Sequence, residues 1–437
     1  MSLLTSDAAP GRPFWWEDVT WPDVSVDLPE KTDLLVIGAG YTGLSAAIAA
    51  HDVGAGVVVI DSGMPGEGAS TRNGGMIGAH PRIGWDTLAA RYGPKVADML
   101  FVESTEALNW VRDTITGEEM DCSFEECGRV QLAYTEAHFA QQKKLAGQLV
   151  NKGAGPCRIL NREELNSEIK TPLYKGGLLF ESHGSVDPAR YLLGFLNAAL
   201  RRGVLVLGNC PAVKILKVSD GYRVSTPRGT IVADRIVLAT NGYTGVQFPW
   251  HNRRVFPVPS YMIATEPLDK ERISALAPGA RMMVETRAMH NYFRVSPCRS
   301  RIIFGGRASL VDISLPRATR RLYEKLIGIW PSLSGVRLSH VWTGNTGFTF
   351  TRLPHVGRSD GLHYAMGYSG GGTVLAPWLG RKVALRALDA PGAETAFEHT
   401  ALQSRWFFRG GRPRFLRPVD LWYRRHVDRR EDREATG

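Results

Sequence analysis

The chain of 437 residues contains no run of about 18 apolar residues, so its pattern excludes a membrane-spanning helix. Its opening stretch, MSLLTSDAAPGRPFWWEDVTWP, lacks both a basic leading segment and an apolar core, and does not read as a secretory leader. The five cysteines, at 122, 127, 157, 210 and 298, form no C-x-x-C pair and no cysteine–histidine metal pattern. An odd cysteine count without a leader fits reduced thiols and a cytoplasmic setting. There is no internal repeat, no low-complexity tract and no nucleic-acid-binding module. A disulfide scaffold and a zinc module are thereby excluded. What is left is an ordinary globular composition, 43% hydrophobic and 22% charged, with length enough for large cores.

Charge is unevenly placed. The formal net charge is +10, and the stretch from Arg405 to the end holds ten arginines against five acids, 10 − 5 = +5. The commoner fate of such a tail is a solvated, partly disordered end, and that is the expectation here. The sharper options are a peripheral contact with anionic lipid or with an electron acceptor. Trp406, Phe407, Phe408, Phe415, Trp422 and Tyr423 imply that its first part packs on something. At the other end, Phe14, Trp15, Trp16 and Trp21 are expected to pin a leading arm to the body.

The densest signal is DLLVIGAGYTGLSAAIAAHDVGAGVVVID, residues 33–61. The apolar run Leu34–Ile37 reads as a buried parallel strand. Gly38, Gly40 and Gly43 follow as G-x-G-x-x-G at the mouth of an alanine-rich helix. A second apolar run ends at Asp61, 61 − 38 = 23 residues on. Gly38 allows the tight turn, Gly40 lets the backbone approach a pyrophosphate, and Gly43 lets helix and strand pack closely. The helix N-terminus offers unpaired N–H groups to phosphate. Asp61 suits ribose hydroxyls and argues against a 2′-phosphate. This much leaves FAD and NAD both open.

A second α/β unit begins at Asp187, an N-cap, with Pro188 at the first helical position and Gly203 after the end. Short strands are expected at 204–207, 213–218, 222–226, 230–232 and 236–239. Residues 92–155 carry amphipathic helices at 95–114 and 138–151 and a strand at 129–133. Further strands are expected at 261–266, 291–295 and 301–305, with a helix at 320–330. The predicted fold class is α/β: a discontinuous Rossmann-like dinucleotide domain (30–91, 156–246, 345–400) with an inserted mixed-sheet α+β domain (92–155, 247–344). A basic aromatic tail (401–437) completes it.

Two loops add chemistry. GEGASTRNGGM, residues 66–76, has small and polar residues that let backbone run beside a flat ligand. LPHVG is followed by AMGYSGGGT, residues 365–373, and a helix through Leu388. Consecutive glycines ahead of a helix aim several N–H groups at one point, which suits a group that becomes anionic. Pro377 predicts a kinked first turn or a later start for that helix.

With VIGAGYTGLSAA, GASTRNGG, VLATNGYTG, IATEPL, YFRVSP, IIFGGR, LPHVG and MGYSGGGTVLAPWLGRKVA in place, the chain resembles the D-amino-acid-oxidase-like (DAO) FAD-dependent oxidoreductases. Within them it is most similar to the γ-glutamylputrescine oxidase subgroup. The resemblance implies that Gly38, Gly40 and Gly43 hold the FAD pyrophosphate and Asp61 the adenosine ribose. It implies that Ser70, Thr71, Arg72, Asn73, Gly75 and Met76 line the pyrophosphate and isoalloxazine. Val213 would pair its backbone with adenine, Thr240 and Gly242 would lie near the dinucleotide, and Gly371, Gly372 and Thr373 would face the flavin pyrimidine edge. Segments 258–266, 287–307 and 342–348 would form the substrate side, for a small amine or amino acid. No cysteine stands near Thr71–Met76 or after Arg301, and His80 matches no attachment motif, so FAD is expected to be non-covalent. Relatives that use oxygen well place a lysine over the flavin; the matching stretch Arg301–Gly306 has none. Oxygen and another acceptor therefore both stay open.

On the substrate side, Arg294, Arg287 and Arg307 are candidates to clamp a carboxylate, with Arg294 foremost. Tyr292, Tyr261 and Trp342 are candidates for an aromatic cage around an amine. His290 is a candidate base or orienting group, and His355 divides between cofactor contact and loop capping. The expected activity is oxidation of a C–N bond to an imine that hydrolyses. An NAD-dependent dehydrogenase and an electron-transfer flavoprotein subunit are the alternatives.

Overall fold

The computed structural model describes residues 3–78, 81, 83–152 and 155–436. His80 lies outside the described residues. The apolar run at Lys31–Ile37 forms a strand with Val57–Ile60 and Val232–Leu238 parallel on either side. Parallel strands covered on both faces need near-continuous apolar side chains, which is what 34–37 and 57–60 supply. Leu205–Leu207 and Leu362–Met366 extend the sheet outward as further parallel strands. One strand, Gly229–Leu238, replaces the two short ones expected at 230–232 and 236–239. Its first half pairs antiparallel with Gly221–Thr226 and its second half parallel with Lys31–Ile37, so it serves both the meander and the main sheet.

A second sheet of eight strands runs in the order 338–349, 255–265, 302–306, 291–295, 282–285, 129–133, 176–180, 157–160. Gly176–Phe180 therefore sits beside Arg129–Ala133 with Cys157–Leu160 on its outer side, although the sequence reading groups 156–246 with the first sheet. A fully buried GGLLF run looks the same in either sheet, and only its pairing assigns it. The long helix Pro94–Gly117 likewise departs from the expected division. Leu100, Phe101, Leu108 and Val111 pack into the core beneath the first sheet, together with Val374, Leu379 and Val383.

Two helices position the cofactor end. Tyr41–Asp52 and Gly372–Ala387 lie against each other so closely that a Cβ at Gly380 would stand 2.2 Å from the Thr42 carbonyl. Ser45 donates to the Pro377 carbonyl at 2.7 Å, and Thr42 shares a 2.7 Å hydrogen bond with Tyr368. The second helix starts at Gly372 rather than later; Pro377 lies inside it and has no N–H to donate to the Thr373 carbonyl.

Both ends of the chain pack on the body. Trp15 is 1% exposed among Ala189, Met262, Ala264, Ile303 and Trp342. The C-terminal stretch differs from the expected solvated end: it is helical from Leu416 to Thr436, with a wider π turn over Tyr423–Val427. Phe408, Phe415, Leu416 and Val419 pack against Phe256, Val258 and Phe348. Among the described residues no helix is long and apolar enough to cross a membrane.

Candidate active site

The G-x-G-x-x-G turn forms for the reasons its glycines predict. Gly38 adopts φ +112°, and a Cβ at Gly43 would stand 1.7 Å from the Gly38 carbonyl oxygen. Gly40 is the N-cap of Tyr41–Asp52, with the Ser70 hydroxyl accepting from the Tyr41 N–H at 3.2 Å. A Cβ at Gly40 would meet that hydroxyl oxygen at 2.8 Å and nothing else closer than 3.9 Å. Asp61, at the end of the second strand, accepts from the Ala39 N–H at 2.6 Å and the Gly63 N–H at 3.0 Å. Burial raises its pKa, and those two N–H groups pull the other way.

The loop after Gly66 is fixed by its own polar side chains. Asn73 donates to the carbonyls of Ala69 and Ser70 and accepts from the Gly75 N–H. Thr71 is fully buried, donates to the Gly66 carbonyl and accepts from the Trp16 indole. Arg72 gives its guanidinium to the carbonyls of Glu67, Gly11 and Thr343 and lies over the Trp16 ring at 4.7 Å. Its own carbonyl accepts from the Trp342 indole. Arg72 thus ties the loop to the second sheet. Gly75, at φ +68°, runs so close to Val186 that a Cβ would meet that carbonyl oxygen at 2.1 Å, and Met76 pairs with Ser185.

Three further backbone segments meet at the other side. Asn241, at φ 42°, accepts from the Gly367 N–H, and Ser369 donates its N–H to the Gly347 carbonyl. Gly242 abuts Gly347 with room for no side chain, since a Cβ there would be 2.8 Å from the Gly347 nitrogen. Thr240 bonds Thr244 at 2.8 Å. Gly371, Gly372 and Thr373, all half-buried, start the second helix beside these segments. Tyr41–Asp52 and Gly372–Ala387 each begin with N–H groups that have no intrahelical acceptor, and the Ser70 hydroxyl takes the one at Tyr41. Val213 stands on the surface at 59% exposure with its N–H given to the Ser225 carbonyl.

The substrate-side candidates separate by sheet face. Side chains alternate along a strand, and Met262, Tyr292 and Gly305 stand opposite one another on the face toward the first sheet. Tyr292 is half-buried between Gly74 and Gly305; a Cβ on either glycine would stand 3.1 Å and 2.4 Å from its ring. Its hydroxyl shares a 2.7 Å bond with Ser260, a residue the sequence reading covered only as part of a segment. Tyr261 points to the other face, with its hydroxyl accepting from the Ile313 N–H at 2.9 Å. The three-ring cage expected from Tyr261, Tyr292 and Trp342 is therefore not assembled. Trp342 shares the Tyr292 face but is 0% exposed, packed on Trp15 and Ile303.

The arginines separate too. Arg294 is 6% exposed, donates to the Val186 carbonyl at 2.8 Å and has its guanidinium 5.8 Å from the Trp15 ring centre. Desolvation lowers its pKa. Arg287 pairs with Asp432 at 2.8 Å and lies over Tyr134. Arg307, half-buried at the end of the 302–306 strand, lies over Phe348 at 4.9 Å. His290 is half-buried with its ring 6.5 Å from that of Tyr292. His355 is fully buried and bonded at both ring nitrogens, to Thr351 and to Thr400, so it caps a loop.

The residues present fit FAD: a glycine-lined turn at one helix N-terminus, an acid at the ribose position, and a second glycine-rich turn that leads into Gly372–Ala387. The chain is similar to known proteins over most of its length. It is 28% identical to the probable oxidoreductase OrdL of Haemophilus influenzae, over 84% of this chain and 86% of that one. It is 28% identical to the gamma-glutamylputrescine oxidoreductase of Escherichia coli, over 80% and 82%. Its fold matches the crystal structure of glycine oxidase from Geobacillus kaustophilus with a TM-score of 0.71 at 18% identity, covering 86% of this chain and 99% of that one. The family model described as FAD dependent oxidoreductase matches residues 33–386. With the FAD-type motif set in place and the family match spanning it, the chain belongs to the DAO family of FAD-dependent oxidoreductases.

Proposed function

We propose that the chain oxidises a C–N bond of a small amine or amino acid to an imine, which water hydrolyses to a carbonyl compound and ammonia, or an amine where the nitrogen is substituted. FAD, held non-covalently, supplies the acceptor for the two electrons. Gly38, Gly40, Gly43 and Ser70 would hold its pyrophosphate, Asp61 its ribose, and the N–H groups of Gly371, Gly372 and Thr373 its flavin end. The observation that supports this reading is the glycine-lined turn Gly38–Gly43 running into Tyr41–Asp52, with the Asp61 carboxylate held beside it by the Ala39 N–H.

The roles of this chain's residues follow from their placement. Tyr292 and Ser260 present two coupled hydroxyls that can orient an amine nitrogen in its neutral form. Trp15, Met262, Ile303 and Trp342 close one end of the cleft with apolar surface and exclude water there. Arg307 and His290 stand at the more open end. Arg307 is a carboxylate-partner candidate beside Arg294, whose guanidinium donates to the Val186 carbonyl and lies near the Trp15 ring. The similarity to a gamma-glutamylputrescine oxidoreductase supports an amine or amino-acid substrate. The deciding experiment is anaerobic mixing of the yellow protein with a panel of amines and amino acids. Bleaching of the flavin absorbance by a subset is expected. A fully loaded flavoprotein that no amine bleaches would favour the electron-transfer alternative.

A further inference from the structure

The C-terminal helical run divides its charges between two sides. Most of its acids are engaged with the body. Asp420 accepts from the Leu310 N–H at 2.7 Å, Glu431 is 4% exposed against the Ala288 N–H, and Asp432, though exposed, accepts from Tyr134 and Arg287; Glu434 alone pairs with Arg430 at the surface. Asp428 is half-buried, in the field of Lys325 and Arg287. Most of its arginines face out: Arg405, Arg409, Arg412, Arg414, Arg417, Arg425 and Arg429 are all exposed, whereas Arg424 turns in to Asp420 and the Ala308 carbonyl. The outer surface is therefore more cationic than the formal +5 of the segment.

Large apolar side chains stand among these arginines. Trp406 is 88% exposed, Trp422 54%, Leu421 47% and Phe407 46%. The body supplies apolar partners for Phe408, Phe415 and Leu416 on the inner side, so the outward placement of the other four is not forced by want of a core. Phe407 and Phe415, 5.3 Å apart, bring the 405–409 turn alongside the start of the helix. A helix with arginine, tryptophan and leucine on one outer face is what an interfacial bilayer contact requires: rings at headgroup depth and cations against anionic lipid. A single-stranded nucleic acid would also accept arginine and aromatic groups. Leucine on the exposed face favours lipid, because it offers a base nothing to stack on.

We propose that the outer face of residues 405–429 docks this chain peripherally on an anionic lipid bilayer. The inner face of the same segment packs on Phe256, Val258 and Phe348, the strand ends next to Ser260 and Arg307, so the docked surface backs directly onto the cleft wall. This inference does not depend on which substrate the cleft takes.

The test is co-sedimentation of the full-length, FAD-loaded protein with extruded vesicles of equimolar phosphatidylglycerol and phosphatidylcholine, against pure phosphatidylcholine, at about 100 mM salt. Binding to the anionic vesicles at least about tenfold tighter is expected, falling as salt rises. Two variants, Trp406→Ser with Trp422→Ser, and Arg417→Gln with Arg425→Gln and Arg429→Gln, should each lose about tenfold in vesicle affinity. Flavin content and circular dichroism should be unchanged. Absence of binding to anionic vesicles, equal binding to both lipids, or variants that bind as the parent would each overturn the proposal. So would a poly-uridine strand that displaces the protein from the vesicles, which would assign the face to nucleic acid.

Discussion

Ser260 and Tyr292, on strands separated by the 302–306 strand, share a 2.7 Å hydrogen bond across it. Gly305 lies between them and makes the contact possible, because any larger residue there would meet the Tyr292 ring. The two hydroxyls therefore act as one unit. Tyr292→Phe and Ser260→Ala should each lower kcat/KM by about tenfold, and the double variant should cost little more than either alone. Flavin content is the control. Full additivity in the double-mutant cycle would show that the pair is not coupled during turnover.

Arg307 and Arg294 give opposite expectations. Arg307→Met should raise KM for a substrate carrying a carboxylate by at least about tenfold, with KM against kcat as the readout. Arg294→Met removes a buried guanidinium that holds the Val186 carbonyl, and leaving that acceptor unpaired costs about 1–3 kcal/mol. Its signature should be a lowered Tm. A large KM effect at 294 with none at 307 would restore Arg294 as the clamp.

At the dinucleotide turn, two glycines differ in what surrounds them. Gly40→Val should fold and lose FAD, because its Cβ meets only the movable Ser70 hydroxyl while filling the space above the helix N-terminus. Gly43→Val should not yield folded protein, because its Cβ would lie 1.7 Å from the backbone oxygen of Gly38. Released flavin, read by absorbance after acid precipitation, checks both cofactor content and non-covalent attachment. A Gly40→Val protein with full flavin would remove the turn from the cofactor site.

Much of this was readable from the sequence, and the exceptions have a common cause. The strand Arg129–Ala133, the strand Asn291–Val295 and the Asp187 cap depend on local pattern, and the structure has them where the pattern puts them. The buried run Gly176–Phe180 and the helix Pro94–Gly117 have equally clear local patterns, but their partners lie far along the chain and set which layer they join. The separation of Tyr261 from Tyr292 follows from strand alternation combined with a register that only pairing fixes. The inward turn of Asp420, Glu431 and Asp432 depends on Leu310, Ala288 and Tyr134, more than a hundred residues away, so composition alone suggested a loose tail.

Four buried histidines bear on acid stability. His251, His340, His355 and His363 are each pushed by burial down to about 4. A histidine whose folded pKa is depressed binds fewer protons folded than unfolded. Its contribution is complete above about pH 6.5 and is lost as pH falls toward 4. For His355, bonded at both ring nitrogens, the loss is on the order of 3 kcal/mol. Tm should therefore fall steeply between pH 6.5 and 4. His355→Gln should be less stable at pH 7.5 yet show a slope about a quarter shallower. Parallel slopes for parent and variant would remove His355 from the account.

The resemblance leads us to expect Ile303 roughly where relatives that use oxygen well have a lysine; Ile303 is 0% exposed, packed on Trp15, Met262 and Trp342. A cation beside the reduced cofactor favours electron transfer to oxygen. Here the candidate cation is Arg294, directly cross-strand from Ile303 in the register of the two strands. Its guanidinium is turned toward Val186 and Trp15. Cation and apolar seal therefore occupy the same corner. If the apolar packing dominates, substrate-reduced enzyme should reoxidise slowly with oxygen and quickly with an artificial dye. Ile303→Lys should then raise the oxygen rate by at least about tenfold, provided flavin content is retained. If Arg294 already supplies the charge, oxygen reoxidation should be fast with stoichiometric peroxide, and Arg294→Met should slow it without slowing the dye. Stopped-flow reoxidation of the parent and the two variants separates these outcomes. Fast oxygen turnover that survives loss of Arg294 would show that neither position governs the acceptor.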